Sequence, residues 1–250
     1  MPVGGWVLLP AAFFAGFIEA TVGGGGLIQV TALMLVLGDA TVPTLLGTAK
    51  LASVPGTAAS VFIYTRRLEL PRKIVFAGCL ASLGAAILGA ATASHIPRHL
   101  FDVVVILIVL ALAASVVGRS SYGEWPPGTA ASVRGGIASA GALGFYDAAI
   151  GPGSGVFMIG ALVQFGRMNL LLATAVAKWF ILTAATTALL IFLWTSPVLV
   201  GIALGMASFN ILGSVIGARM AVARGNPWLR RLLLLVLAGL LARLAWRAVS

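Results

Sequence analysis

The chain has 250 residues and a formal charge of +10, yet 60% of its residues are hydrophobic and only 9% are charged, with a mean hydropathy of +1.10. A soluble domain carries roughly 25% charged residues, and six carboxylates (Glu19, Asp39, Glu69, Asp102, Glu124 and Asp147) cannot solvate a surface of this size. A water-exposed globule, a disordered chain and a fibre are excluded; so is an outer-membrane barrel, whose strands alternate over ~10 residues, because the apolar runs here are long and unbroken. What remains is an all-α polytopic membrane protein with the lipid bilayer as its solvent.

Apolar runs fall at 3–22, 27–37, 42–64, 74–94, 100–118, 135–150, 156–165, 170–193, 198–222 and 229–248. A full span needs about 20 apolar residues, and six of the runs meet that length comfortably. The first, MPVGGWVLLPAAFF onward, has no basic region before it and reads as a membrane segment, not as a cleaved signal. The runs 27–37 and 156–165 are only half a bilayer long. Each follows a glycine cluster, Gly23–Gly26 and Gly151-Pro152-Gly153-Ser154-Gly155. Trp6, Trp194, Trp228 and Trp246 stand at run ends, as an aromatic belt does. Stripes of small residues, Gly78/Ser82/Ala85/Gly89, Gly201/Gly205 and Gly213/Gly217, are spaced for close helix packing in lipid.

The long polar connection, Arg119 to Arg134, divides the chain into near halves, 1–118 and 135–250. At one constant offset, 128 residues, Gly16, Glu19, Gly23, Gly25, Lys50 and Gly89 of the first half meet Gly144, Asp147, Gly151, Gly153, Lys178 and Gly217 of the second. The matches fall on the costliest residues in a membrane, which points to a duplicated transporter fold. Charge then tests the topology. With four simple spans per half the repeats are parallel, and basic residues divide eight to six between the two sides. With each glycine-broken element folded as a hairpin followed by three further membrane helices, the repeats are inverted. Arg66, Arg67, Arg72, Lys73, Arg119, Arg134, Arg167, Arg219, Arg224, Arg230 and Arg231 are then cytoplasmic, against Arg98, Arg243 and Arg247. Eleven against three favours inversion.

The positive charge is not a nucleic-acid signal, because the basic residues cluster at segment ends facing headgroups and no aromatics interleave them to stack bases. Cys79 is the lone cysteine, so no disulfide framework or thiolate metal site is expected. His95 and His99 lie four apart beside Arg98 and Asp102. Without a third ligand they read as an interfacial polar cap, and neither a metal nor a cofactor is expected. No nucleotide loop is present, since Leu27 and Val156 stand where a P-loop needs Gly-Lys-Ser/Thr.

Three features carry the chemistry. Each glycine cluster opens a half-length helix, so unpaired N–H groups and the positive dipole end lie near the midplane, where an anion could bind; a packing kink is the plainer reading. Lys50 and Lys178 sit mid-run, at an insertion cost of at least ~2.5 kcal/mol each, and must face the bundle interior. Lys50, Ser53, Thr57 and Ser60 share a helical face, as do Thr174 and Lys178. The lysines either meet a substrate anion or form a structural ion pair with Glu19 or Asp147. Glu19 and Asp147 each stand one turn before a glycine cluster, at the negative end of the incoming helix. That end and burial disfavour their charged forms while a nearby lysine favours them, so both are candidates for proton coupling.

The stretches GFIEATVGGGGLIQVTAL, LLGTAKLASVPGT, GFYDAAIGPGSGVFMIGALV, ATAVAKW and NILGSVIGARMAV resemble the TauE/SafE sulfite exporter-like family of bacterial and archaeal membrane transporters, in its probable membrane transporter branch. The resemblance runs from about residue 11 to 246. Gly23–Gly26 match the first glycine signature and Gly151, Pro152, Gly153 and Gly155 the second. Lys50 and Lys178 match the branch's Thr-x-Lys and Ala-Lys lysines, and Asn210 matches the Asn-x-Leu-Gly stretch. Thr31 replaces a usual proline, and Ala49 a frequent asparagine. The resemblance implies a cell-membrane transporter of small sulfur-containing or carboxylated anions, coupled to an ion gradient. The expected substrate site is thus Gly23, Gly24, Gly25, Gly26, Lys50, Gly151, Gly153, Ser154, Gly155, Lys178 and Asn210, with Glu19 and Asp147 carrying protons. Partners are the anion, protons and lipid, with a homodimer left open. Competing classes are a cation antiporter working through Glu19 and Asp147 and a non-transport membrane assembly factor. An enzyme would need a cluster of His, Cys or Asp, and the sequence offers none.

Overall fold

The computed structural model describes residues 5–37, 40–93, 125 and 129–249. The expected span at 100–118, the histidine pair His95 and His99, and most of the 119–134 connection lie outside the described residues. Among those described, every regular element is helical: α1 Gly5–Thr21, α2 Gly25–Val36, α3 Val42–Arg67, α4 Arg72–Thr92, α5 Val133–Ala149, α6 Ser154–Gln164, α7 Leu170–Thr195 and α8 Val200–Val249. Three are long and apolar enough to cross a membrane: α4, α7 and, over Val200–Val236, α8. The expected separate helices at 198–222 and 229–248 both lie within α8, which is broken at Gly225, where φ is 68° and ψ −163°, two residues before Pro227.

Local chemistry sets the boundaries. Thr41 caps α3 by accepting from the Thr44 N–H at 3.4 Å, and Asn169 caps α7 by accepting from the Leu172 N–H at 2.9 Å. The α7 start is also held by Asn226, beyond the Gly225 turn, whose side-chain oxygen accepts from the Leu171 N–H at 2.8 Å. The two half-helices, of 12 and 11 residues, start after glycines that no other residue replaces cheaply. Gly24 and Gly153, their N-caps, have φ of 88° and 86°, a left-handed backbone that a Cβ disfavours. The turn at Gly23-Gly24 folds α2 back along α1, so that Gly25 packs on the carbonyl of Ala15.

Starts of α1, α3 and α4 precede those of α5, α7 and α8 by the same 128 residues. Packing follows the same offset. α1 lies on α8 and α4 on α5, so each half's first helix packs on a late helix of the other. A Cβ on Gly16 would lie 3.0 Å from Asn210 Cα, and one on Gly144 would lie 2.9 Å from Ser82 Cα. A Cβ on Gly217 would lie 3.2 Å from the Ala20 methyl, and one on Gly89 would lie 3.1 Å from that of Ala148. Small residues bring these backbones together where lipid offers no hydrophobic drive. The expected stripes hold at Gly78, Ser82, Gly89, Gly213 and Gly217, which meet neighbouring helices. Ala86 and not Ala85 is the buried alanine of its stripe, and of the Gly201/Gly205 pair a Cβ on Gly205 would meet Leu9 of α1 at 3.9 Å while one on Gly201 meets nothing among the described residues.

Between the halves, α3 and α7 run antiparallel. Gly47, near the start of α3, meets Phe192, near the end of α7, while the Trp179 indole donates to the Thr65 hydroxyl at 3.2 Å near the other end. Gly136 lies against Ile74 and Gly135 against Phe165. These contacts gather Arg66, Arg67, Arg72, Lys73, Arg134 and Arg167 at one end of the bundle. Trp6 and Trp194, 74% and 90% exposed, stand at the other. Trp228 instead packs edge-on against Phe17 with Arg224 over its ring, which makes it a contact residue of the kink.

Candidate functional site: two lysine–carboxylate pairs at crossed half-helices

α2 and α6 meet at their N-termini in the middle of the molecule. A Cβ on Gly155 would fall 2.8 Å from Gly23 Cα and 2.7 Å from Glu19 Oε1. The two glycine turns therefore touch backbone to backbone, and the carboxylate of α1 lies in the contact.

The lysines pair across the halves. Lys50 Nζ donates to Asp147 Oδ2 at 2.9 Å and to the Asp147 carbonyl at 2.8 Å, so it neutralises the acid and also caps the carbonyl end of α5. Asp147 Oδ1 accepts from the Ser154 hydroxyl at 2.6 Å. Lys178 Nζ donates to Glu19 Oε1 at 2.8 Å, and Glu19 Oε2 accepts from the Gly25 N–H at 3.0 Å, the first residue of α2. In each pair the lysine comes from a half's third helix, the acid from the other half's first helix, and the acid's second oxygen takes a donor at a half-helix N-terminus.

The pairs differ in access. A cavity of about 50 Å³ opens onto Lys50, Asp147, Ser154 and Glu19, but not onto Lys178, which is wholly buried. That is room for more than one water, since a water needs roughly 10–15 Å³ of such space. Of the other expected site residues, Gly25, Gly26, Gly151 and Asn210 line the cavity, while Gly23, Gly24, Gly153 and Gly155 do not; the last four serve the turns and their crossing. Ser53 and Thr57 continue the Lys50 face along the cavity wall. Thr57 is buried and makes no hydrogen bond among those described, so its hydroxyl is left for whatever fills the space. Ser60 instead donates to its own helix at Gly56. Thr174 likewise donates to the Leu170 carbonyl and stays away from the cavity.

Gln29 is a wall residue that sequence reasoning missed. Its amide donates to the Ala49 carbonyl at 2.9 Å and its oxygen accepts from Asn210 at 3.1 Å. Asn210 also donates to the Ala12 carbonyl at 3.3 Å, and Ser214 donates to Asn210 at 3.4 Å. This chain ties α2, α3, α1 and α8 together below the pairs. The signal was available: an amide in an otherwise apolar half-helix must find partners or pay its desolvation.

Apolar helices of spanning length, half-helices whose N-termini meet, and buried charges beside a shared cavity are features of helical membrane proteins of the transporter class. The comparisons agree. The sulfite exporter TauE/SafE family matches residues 8–244, and the chain belongs to that family of membrane transporters. It is 32% identical over 240 residues to the probable membrane transporter protein ORF9 of a Sinorhizobium species, covering 95% of this chain and 90% of the relative. It is 30% identical over 233 residues to a probable membrane transporter protein of Haemophilus influenzae, covering 92% and 90%. It is 29% identical over 248 residues to the probable membrane transporter protein YfcA of Escherichia coli, covering 96% and 89%. No solved structure matches the chain.

Proposed function

We propose that this protein is a proton-coupled secondary transporter of small anions, such as sulfite, sulfonates or related organosulfur and carboxylate anions, across the cytoplasmic membrane. One observation carries the reading: Lys50 is buried at the crossing of two half-helix N-termini, faces the cavity, and is neutralised by Asp147 from the other half. A substrate anion reaching Lys50 must displace that carboxylate. Two anions around one lysine in a low-dielectric site repel strongly, so the exchange is balanced when Asp147 takes up one proton as the anion arrives and gives it up as the anion leaves. Lys50, Ser154, Thr57 and the Gly26 amide at the N-terminus of α2 supply the donors, the Gly25 N–H being held by Glu19. In this reading the Lys178–Glu19 pair holds α2 in place behind the site.

The proposed frame is a pair of inverted repeats, 1–118 and 135–250, joined by 119–134. The common 128-residue offset of helix starts and glycine contacts supports the duplication. The antiparallel run of α3 and α7 supports inversion, since equivalent helices run antiparallel when the axis relating them lies across them.

The test is transport in proteoliposomes under an imposed pH gradient. Wild type accumulates the anion with the gradient. Asp147→Asn binds the anion and exchanges it but no longer accumulates it; accumulation as steep as wild type in that variant refutes the coupling. A cation antiporter is the second reading, favoured by Glu19 and Asp147 both lining the cavity. It predicts cation-driven proton movement with no anion present.

A further inference from the structure

A second cavity, about 530 Å³, lies between α3 and α8 at the basic end of the bundle, away from the lysine–carboxylate pairs. Its charged wall is Arg66, Arg67 and Arg219; its apolar wall includes Phe62, Ile63 and Val222. We propose that this groove binds the headgroup of an anionic phospholipid, with the phosphate held by the three arginines and an acyl chain laid along Phe62, Ile63 and Val222. The inference needs only that the chain sits in a bilayer and is independent of the transport reading.

Three observations carry it. First, the charges are uncompensated: among the described residues no carboxylate pairs with any of the three arginines, and all three are exposed. Three guanidinium groups around one groove repel unless an anion joins them, and guanidinium forks match phosphate oxygens two at a time. Second, the Arg66 guanidinium lies over the Phe62 ring, 4.1 Å from its centroid, so the charged head sits directly against an apolar floor. Phe62 is itself 56% exposed. A free phosphate would have no use for that floor, whereas a lipid needs both parts. Third, Arg66 and Arg67 occupy the last turn of α3, the level at which a helix leaves the hydrocarbon for the headgroups, where clustered basic residues attract anionic lipid.

The experiment uses the full chain purified in a neutral detergent. Phosphatidylglycerol, phosphatidylcholine and glycerol 3-phosphate are titrated separately while lipid retention is followed by native mass spectrometry and stability by thermal denaturation. Phosphatidylglycerol is expected to be retained and to raise the melting temperature, and the other two are not. The triple variant Arg66→Gln/Arg67→Gln/Arg219→Gln should weaken retention by about tenfold or more. The control Arg72→Gln/Lys73→Gln, at the same end but outside the groove, should leave it within about twofold of wild type, because local contact and not diffuse charge sets it. Equal retention of phosphatidylcholine overturns the proposal. So does equal loss in the triple variant and the control, which would mean a diffuse basic surface, or glycerol 3-phosphate binding as well as the lipid. If the triple variant is unstable, Arg219→Gln alone still decides, with several-fold weaker retention expected.

Discussion

Lys50 and Asp147 are 97 positions apart in sequence and 2.9 Å apart in space, and the lysine grips the acid's own backbone carbonyl as well as its carboxylate. Lys178 and Glu19 are joined at 2.8 Å across 159 positions. Both contacts pass between the halves, so neither half can move against the other without opening a buried ion pair.

The two lysines should separate under mutation. Lys50→Met removes a cavity donor and is expected to weaken anion binding by ~2–5 kcal/mol, measured by thermal shift against a panel of sulfur and carboxylate anions. Lys178→Met leaves Glu19 uncompensated beside a sealed position and should cost ~3–5 kcal/mol of stability. Adding Glu19→Leu to Lys178→Met should recover most of that loss. No recovery would mean that Lys178 acts on something other than Glu19.

Gly155 and Gly26 should respond oppositely to alanine. A Cβ at Gly155 falls 2.8 Å from the Gly23 backbone, which cannot give way, so Gly155→Ala should destabilise by ~1–3 kcal/mol. A Cβ at Gly26 meets Pro152 Cα at an ordinary 3.7 Å but enters the cavity. Gly26→Ala should keep the melting temperature and lose anion affinity. Equal melting temperatures for both variants would contradict the crossing of the glycine turns.

Orientation is read by labelling. In a Cys79→Ala background, single cysteines at Leu68, Phe165 and Ser196 are treated with an impermeant thiol reagent in oriented vesicles. Inverted repeats place Leu68 and Phe165 on one side and Ser196 on the other. Labelling of Leu68 and Ser196 from the same side would restore parallel repeats.

The amide chain is tested by a double-mutant cycle. Gln29→Leu and Asn210→Leu each strand a buried partner, at ~1–3 kcal/mol apiece. The double variant should cost clearly less than their sum, because the 3.1 Å bond between them is lost only once. Strict additivity in thermal denaturation would show that the two amides act separately.

The sequence alone settled whatever is a local property of a residue in lipid. Nine per cent charged residues excludes a water-facing surface. A lysine in mid-span must turn inward because the insertion cost is its own, and a glycine run must break a helix because the left-handed backbone is cheap only there. The offset of 128 likewise ranked Glu19 with Asp147 and Lys50 with Lys178. Equivalence of position does not name a partner, however, and only the tertiary structure decided that each lysine takes the acid of the opposite half. It also decided that Lys50 faces a cavity while Lys178 is sealed, and that Gly23 and Gly155 spend their missing side chains on each other. Those outcomes depend on how α1 packs on α8 and α4 on α5, distances set by many small residues at once. Gln29 shows the same limit: its polarity was visible in α2, but its partners, Ala49 and Asn210, come from two other helices that only packing brings together.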